Sequence, residues 1–133
     1  MSVKSELKAA RVSPRKAGEV VALIRNRSIN DAITILEHTP RAAANLVKKV
    51  IVSARANAEH NHNYKPDSLY ISQISIGAGP RYRRYRAAAR GRARKYQHKT
   101  SHIMVLVEGE KREAKKPAKA VKPLTDTQTK GDS

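Results

Sequence analysis

Between Arg81 and Lys95 the chain reads RYRRYRAAARGRARK, with eight basic residues, no acidic one and two tyrosines among them. Seven of the eight are arginine. A guanidinium presents a rigid fork of donors that matches a phosphate, and its flat face stacks on a base. Tyrosine rings stack on unpaired bases or on riboses. Arg81, Arg83, Arg84, Arg86, Arg90, Arg92, Arg94 and Lys95, with Tyr82 and Tyr85, therefore form a candidate RNA-binding set, which Tyr96, His98 and Lys99 extend. A solvated basic loop is the plain alternative, but solvation alone needs neither this density of arginine nor tyrosine. Lysine replaces arginine as the main cation beyond residue 110, which points to specific contacts in the first segment and diffuse charge in the second.

A second basic group, Arg11, Arg15 and Lys16, surrounds the dipeptide Ser13-Pro14. Ser13 suits a helix N-cap and Pro14 the first helical position, so this could be only a cap. The same spot offers exposed backbone N–H groups that favour phosphate, and an RNA contact is expected there. Other motifs carry less. The run His60-Asn61-His62 sits at a helix end, where two imidazoles cannot easily share one metal and no further ligand set is in view, so a surface role is expected. Gly77-Ala78-Gly79 has no helix after it, so a bulged strand explains it better than a nucleotide loop. His102, like His98, flanks a strand start and reads as RNA-facing or structural. No nucleophile, base and orienting group fall together, so an enzyme is not expected, nor a cofactor or metal.

Charge gives the same picture at larger scale. Lys and Arg number 28 against 11 Asp and Glu, a formal net charge of +17 over 133 residues. Residues 81–107 hold nine basic and no acidic residues, whereas residues 1–80 hold twelve and six. A field of that sign seeks a polyanion. The chain has no cysteine, which removes disulfides and the usual zinc frameworks and fits a reducing compartment. The N-terminus lacks the apolar core of a secretory signal, and no apolar run is long enough to span a membrane.

The elements that must position these groups are legible from periodicity. Val3, Ser5, Leu7 and Ala9 alternate with charged residues, a strand with one wet face. Ala17, Val20, Val21 and Ile24 follow at helical spacing. Ser28 and Asp31 resemble a capping box ahead of a stripe of Ile29, Ala32, Ile33 and Leu36. Thr39 and Pro40 are expected to cap and open a third, longer helix whose buried face is Ala43, Leu46, Val47, Val50, Ala54 and Ala58. Leu69–Ile76 and Thr100–Val107 read as strands. They bracket the basic segment, so a long hairpin with its midpoint at Ala88 is expected. Each arm reaches ~60 Å if extended, against a body only about 30 Å across. Beyond Gly109 the chain is poor in apolar residues and reads as a disordered tail rich in Lys, Pro and Ala.

Taken together, ARVSPRKAGEVVALIR, the segment around ANAEHN (Ala56–Asn61), Gly79-Pro80, ARGRA and KTSHI (Lys99–Ile103) occur in an order that resembles the bacterial-type L-twenty-two family of large-subunit ribosomal proteins. The resemblance spans about residues 8–107. It implies an α+β fold, three helices packed on a small three-stranded antiparallel sheet with a long protruding β-hairpin. It implies one domain over residues 1–109, with the hairpin at about 77–100, followed by the tail at 110–133. It further implies a cytoplasmic protein of the large ribosomal subunit that contacts several rRNA domains and neighbouring ribosomal proteins and supports assembly. The hairpin would line the polypeptide exit tunnel and meet the nascent chain, with Ala87, Ala88, Ala89, Arg90 and Gly91 near its tip. One departure is visible. The family commonly has Pro-Arg where this chain has Ala87-Ala88, so a basic tip contact is expected to be missing. Three other classes share part of the pattern. A nucleoid-type DNA binder would dimerise and prefer duplex, a membrane-active cationic protein would need an apolar face that the basic segment lacks, and an HNH-type nuclease would cleave with a metal.

Overall fold

The computed structural model describes residues 2–112. In chain order its elements are strand β1 (Val3–Ala10), helices α1 (Pro14–Ile24), α2 (Ile29–His38) and α3 (Ala42–His62), and strands β2 (Tyr70–Ala87) and β3 (Ala93–Glu108). Among the described residues the strands form one antiparallel sheet in the order β1-β3-β2. This is the expected α+β arrangement of three helices on a three-stranded antiparallel sheet with a long β2–β3 hairpin.

Each helix begins or packs for a local reason. The Ser13 hydroxyl accepts the Lys16 N–H, and Pro14 occupies the first helical turn of α1. Ala17, Val20, Val21 and Ile24 are the buried face of α1. The Ser28 hydroxyl accepts the Asp31 N–H at 3.1 Å and starts α2. There the stripe is narrower than its spacing suggests, because Ile29, Ala32 and Leu36 are buried and Ile33 only packs against the rim.

α3 differs from the expectation at its start. Thr39 does not cap it. The Thr39 hydroxyl donates to the Ile35 carbonyl at 2.7 Å, and its N–H donates to Leu36, so Thr39 terminates α2. α3 begins at Ala42 behind Arg41, which makes no side-chain cap. Its buried face is also wider than a single stripe. Ala44 and Ile51 are buried with Ala43, Val47, Val50, Ala54 and Ala58, while Leu46 is only half-buried. The cause is position: α3 packs on β1 and β3 on one side and on α1 and α2 on the other. Alanines along it allow those close approaches, and each fully buried Val or Ile contributes about 1.5–3 kcal/mol.

β1 keeps period 2 only as far as Leu7. The register against β3 shifts between Leu7 and Ala10, and Ala9 sits at φ +53°. This bulge turns Ala10 rather than Ala9 into the core, where Ala10 is buried. The freed Ala9 N–H donates to His102 Nδ1 at 3.1 Å, so His102 has a structural role.

The body closes beyond Gly109. The Lys65 N–H donates to the Glu110 carbonyl at 2.9 Å, and the Arg112 N–H donates to the Asn63 carbonyl at 2.7 Å. The Glu110 N–H donates to the Ser68 hydroxyl at 3.0 Å. Residues 110–112 therefore pair with the loop after α3, three residues past the boundary expected from composition. The rest of the expected tail lies outside the described residues. Ending the chain after Gly109 removes these three bonds. It should lower stability by about 1.5–4.5 kcal/mol relative to ending it after Arg112, at roughly 0.5–1.5 kcal/mol per hydrogen bond. Urea unfolding of the two truncations measures this, and equal midpoints would mean that the pairing contributes nothing.

Candidate nucleic-acid interface

The hairpin leaves the body at a kink. β2 and β3 pair in register to Ala78↔Ser101, shift, and resume at Arg81↔Lys99. Gly79 and Pro80 occupy the shift, where the missing proline N–H costs no ladder bond. The Thr100 hydroxyl donates to the Pro80 carbonyl at 2.7 Å and ties the two strands together there. Gly79 is required at this point, since a β-carbon on it would lie 2.5 Å from Thr100 Oγ1 and 3.1 Å from the Thr100 carbonyl carbon.

Past the kink every residue from Arg81 to Lys95 is exposed, yet the ladder continues to Ala87↔Ala93. Side chains directly opposite each other share a face. One face therefore carries Tyr82, Arg84 and Arg86 opposite His98, Tyr96 and Arg94. The other carries Arg81, Arg83 and Tyr85 opposite Lys99, Gln97 and Lys95. On the first face the Arg86 guanidinium lies 5.4 Å from the Tyr96 ring centre, and the Tyr96 and His98 rings meet edge-on at 5.2 Å. Tyr96 is thus engaged within the hairpin, whereas Tyr82 and Tyr85 remain 47% and 68% exposed.

The turn is centred on Arg90, two residues beyond the expected midpoint Ala88. The Ala88 N–H donates to the Arg92 carbonyl at 2.8 Å, while Arg90 and Gly91 both adopt left-handed backbone, at φ +58° and +69°. Ala87 belongs to the ladder. The apex is consequently not an all-alanine surface: a cation, Arg90, stands at its top, although the chain lacks Pro-Arg before it.

At the hairpin root the two basic groups read separately in the sequence come together. A groove of about 610 Å³ is lined by Arg11, Ser13, Lys16, Tyr82, Arg84 and His98, with Gln97, Lys99, Thr100 and Ala9 completing it. A smaller groove of about 390 Å³ shares Arg11, Ser13 and Lys16 and runs on to Arg41 and Ala42 at the start of α3. The N-termini of α1, capped by Ser13, and of α3, which has no side-chain cap, both border this region, and each favours negative charge. Arg15 is exposed but lines neither groove. Gln97, Thr100 and Arg41 were not among the expected site residues. Only their nearness in space to Arg11 and Lys16 identifies them, apart from the Pro40-Arg41 pair ahead of the helix.

Acidic residues are placed to leave these cations uncompensated. Among the described residues the ion pairs are Lys4–Glu6, Arg41–Glu19, Lys48–Glu37, Arg55–Glu59 and Lys65–Glu110, and none involves the hairpin, Arg11 or Lys16. The hydrogen bond from Lys4 holds the Glu6 carboxyl below its ordinary range, and that from Lys48 does the same for Glu37. Glu6 and Glu37 are thus held in the ionised form that cancels neighbouring cations of the body. His60 and His62 are exposed in the last turn of α3, suited to its negative end. Among the described residues no His, Cys, Asp and Glu cluster could hold a metal ion, and no helix is long and apolar enough to cross a membrane.

Comparison with known proteins fits this geometry. The family model described as "Ribosomal protein L22p/L17e" matches residues 5–108. The "Large ribosomal subunit protein uL22" of Clostridioides difficile is 44% identical over 111 residues, covering 84% of this chain and 100% of that protein. The protein of the same name from Halothermothrix orenii is 45% identical, covering 84% and 98%. That from Oceanobacillus iheyensis is 46% identical over 107 residues, covering 80% and 95%.

The kink yields a direct test. Gly79→Ala must part the strands at Thr100 and should cost about 1–3 kcal/mol, whereas Gly77→Ala, whose nearest neighbour would be the His102 β-carbon at 3.7 Å, should be nearly neutral. Thermal unfolding of both variants decides. Equal tolerance would mean that the close approach at Gly79 does not hold the hairpin.

Proposed function

The chain belongs to the ribosomal protein L22p/L17e family and is a structural constituent of the large ribosomal subunit, not an enzyme; beyond this we propose that it binds large-subunit rRNA through its hairpin and the groove at the hairpin root, supports assembly, and lines the nascent-polypeptide exit tunnel with the hairpin apex. Its partners are the rRNA and neighbouring ribosomal proteins of the subunit, within the cytoplasmic ribosome.

The observation that carries the reading is the uncompensated charge. A paired arm whose residues 81–95 are all exposed, with eight cations and no carboxylate partner among the described residues, is unfavourable in isolation. RNA phosphates remove that repulsion and release counterions on binding. Arginines on both faces let the arm be surrounded, as an irregular RNA fold would surround it, rather than laid on one groove of a duplex. Exposed Tyr82 and Tyr85 on opposite faces add base-stacking sites. The narrow two-stranded form suits insertion between RNA segments, and the apex, with small Ala88 and Ala89 beside Arg90, is its leading end.

Two experiments test the reading. Replacing Arg81, Arg83, Arg84 and Arg86 by Ala should flatten the log–log salt dependence of rRNA binding by about 3, at ~0.7–0.9 per neutralised phosphate. The same variant should give a reduced yield of large subunits on sucrose gradients. An unchanged slope would remove the hairpin from RNA binding. Separately, a photo-cross-linking residue in place of Arg90 should capture nascent chains on stalled ribosomes, while one in place of Val52, exposed on α3, should not. Cross-links from position 90 to rRNA alone would defeat the tunnel assignment.

A further inference from the structure

The groove at the hairpin root holds more than phosphate binding requires. Four of its lining residues, Arg11, Lys16, Arg84 and Lys99, are cationic, and none is in an ion pair among the described residues. No acidic side chain lines it among those residues. Charge alone would suit a flat basic face against a duplex backbone. This surface is instead concave, and its volume of about 610 Å³ falls within the ~300–1,000 Å³ of sites that enclose small organic ligands. A paired helix cannot fill such a notch, because its bases are stacked inside and it presents only convex backbone and groove edges.

The aromatic lining points the same way. Tyr82 faces the groove with 47% of its surface exposed. Among the described residues it makes no ring or cation contact, whereas its neighbour Tyr96 is covered by Arg86 and His98. His98, opposite Tyr82 in the ladder, is braced edge-on by Tyr96 and forms a second aromatic wall. Arg11 and Lys16 line the same groove and supply its attraction for an anion through their side chains, because Pro14 has no N–H and the Lys16 and Ala17 N–H groups are already bonded to Ser13. An aromatic side chain and two cations unpaired among the described residues thus line one groove.

We propose that this groove holds a single unpaired RNA nucleotide, with its base against the Tyr82 ring and its phosphate toward the Arg11 and Lys16 side chains. The proposal rests on the RNA-binding reading above and adds that one base must be unstacked from the rRNA to enter. Tyr82 supplies the stacking face, His98 bounds the base, and Arg84, on the same face of the hairpin, flanks the backbone. Tyr85, on the opposite face of the hairpin, has no part in it.

The test compares a short RNA stem carrying one bulged nucleotide with the same stem made abasic at the bulge, so that the backbone is kept and the base is lost. The full-length protein and its Tyr82→Ala, Tyr82→Phe and Tyr85→Ala variants are titrated with both RNAs at fixed salt. Removing the base should weaken binding roughly tenfold for the unmodified protein, for Tyr82→Phe and for Tyr85→Ala, in line with stacking of one base on one ring. It should have little effect for Tyr82→Ala. Replacing Arg11 and Lys16 together by Ala should weaken both RNAs alike. Equal binding of the two RNAs by the unmodified protein would overturn the nucleotide site and leave a groove that takes phosphate only. Base dependence lost in Tyr85→Ala rather than in Tyr82→Ala would overturn it by moving the stacking to the other face. Failure of the protein to bind either RNA in a salt-dependent way would instead defeat the RNA-binding reading itself.

Discussion

The pairing of β2 with β3 is the constraint on which the rest of this molecule depends. β3 is the middle strand, and its inner half carries Ile103, Val105 and Val107 into the core. Those residues set the register, since a slip by one position would turn them all to solvent. The same two strands then run on, past the point where a core exists, to Ala87↔Ala93. The hydrophobic body therefore decides which arginine faces which way far out on the arm. Nothing in the arm itself could do so, because its own residues are exposed on both faces and repel one another.

That division of labour explains where the acids lie. Glu6, Glu19, Glu37, Glu59 and Glu110 each hold a cation of the body. Most of these pairs are well exposed and contribute little to stability. Their larger effect is on the field, since they reduce the charge of the body while the hairpin and the groove beside it keep theirs. A partner that is itself a polyanion then meets one concentrated region of positive potential rather than a uniformly basic particle.

The kink at Gly79 and Pro80 joins the two regimes. It lies where the last buried residues, Thr100 and Ser101, give way to exposed ones. The bulge at Ala9 in β1 lies beside it, held by His102. These irregularities bring the end of β1, the start of α1 and the root of the hairpin around one concavity. A sheet with unbroken register would have carried Ala9 inward and turned the following Arg11 differently. The local breaks in the ladder are thus what assemble the groove.

Much of this was legible in the residues alone. Helical spacing and caps marked α1 and α2, because Ser13 and Ser28 accept N–H groups only three positions away and Pro14 fixes the first helical φ locally. Arginine and tyrosine density marked the hairpin as a candidate RNA-binding arm, because composition reports charge directly. The family resemblance added the sheet. What the residues alone left undetermined were events that depend on competition or distance. Thr39 could serve either of two helices, and only packing committed its hydroxyl to Ile35. Arg90 rather than Ala88 became the apex because strand register, fixed in the core, determines where the turn must fall. Period 2 continued on paper to Ala9, where the fold inserts a bulge. Arg11 and Lys16 lie far along the chain from Tyr82, Arg84 and His98, and only the antiparallel pairing of β1 with β3 makes them neighbours. The sequence by itself determined which side chains could bind RNA; tertiary structure decided which of them share a site, because that follows from long-range strand register and not from local spacing.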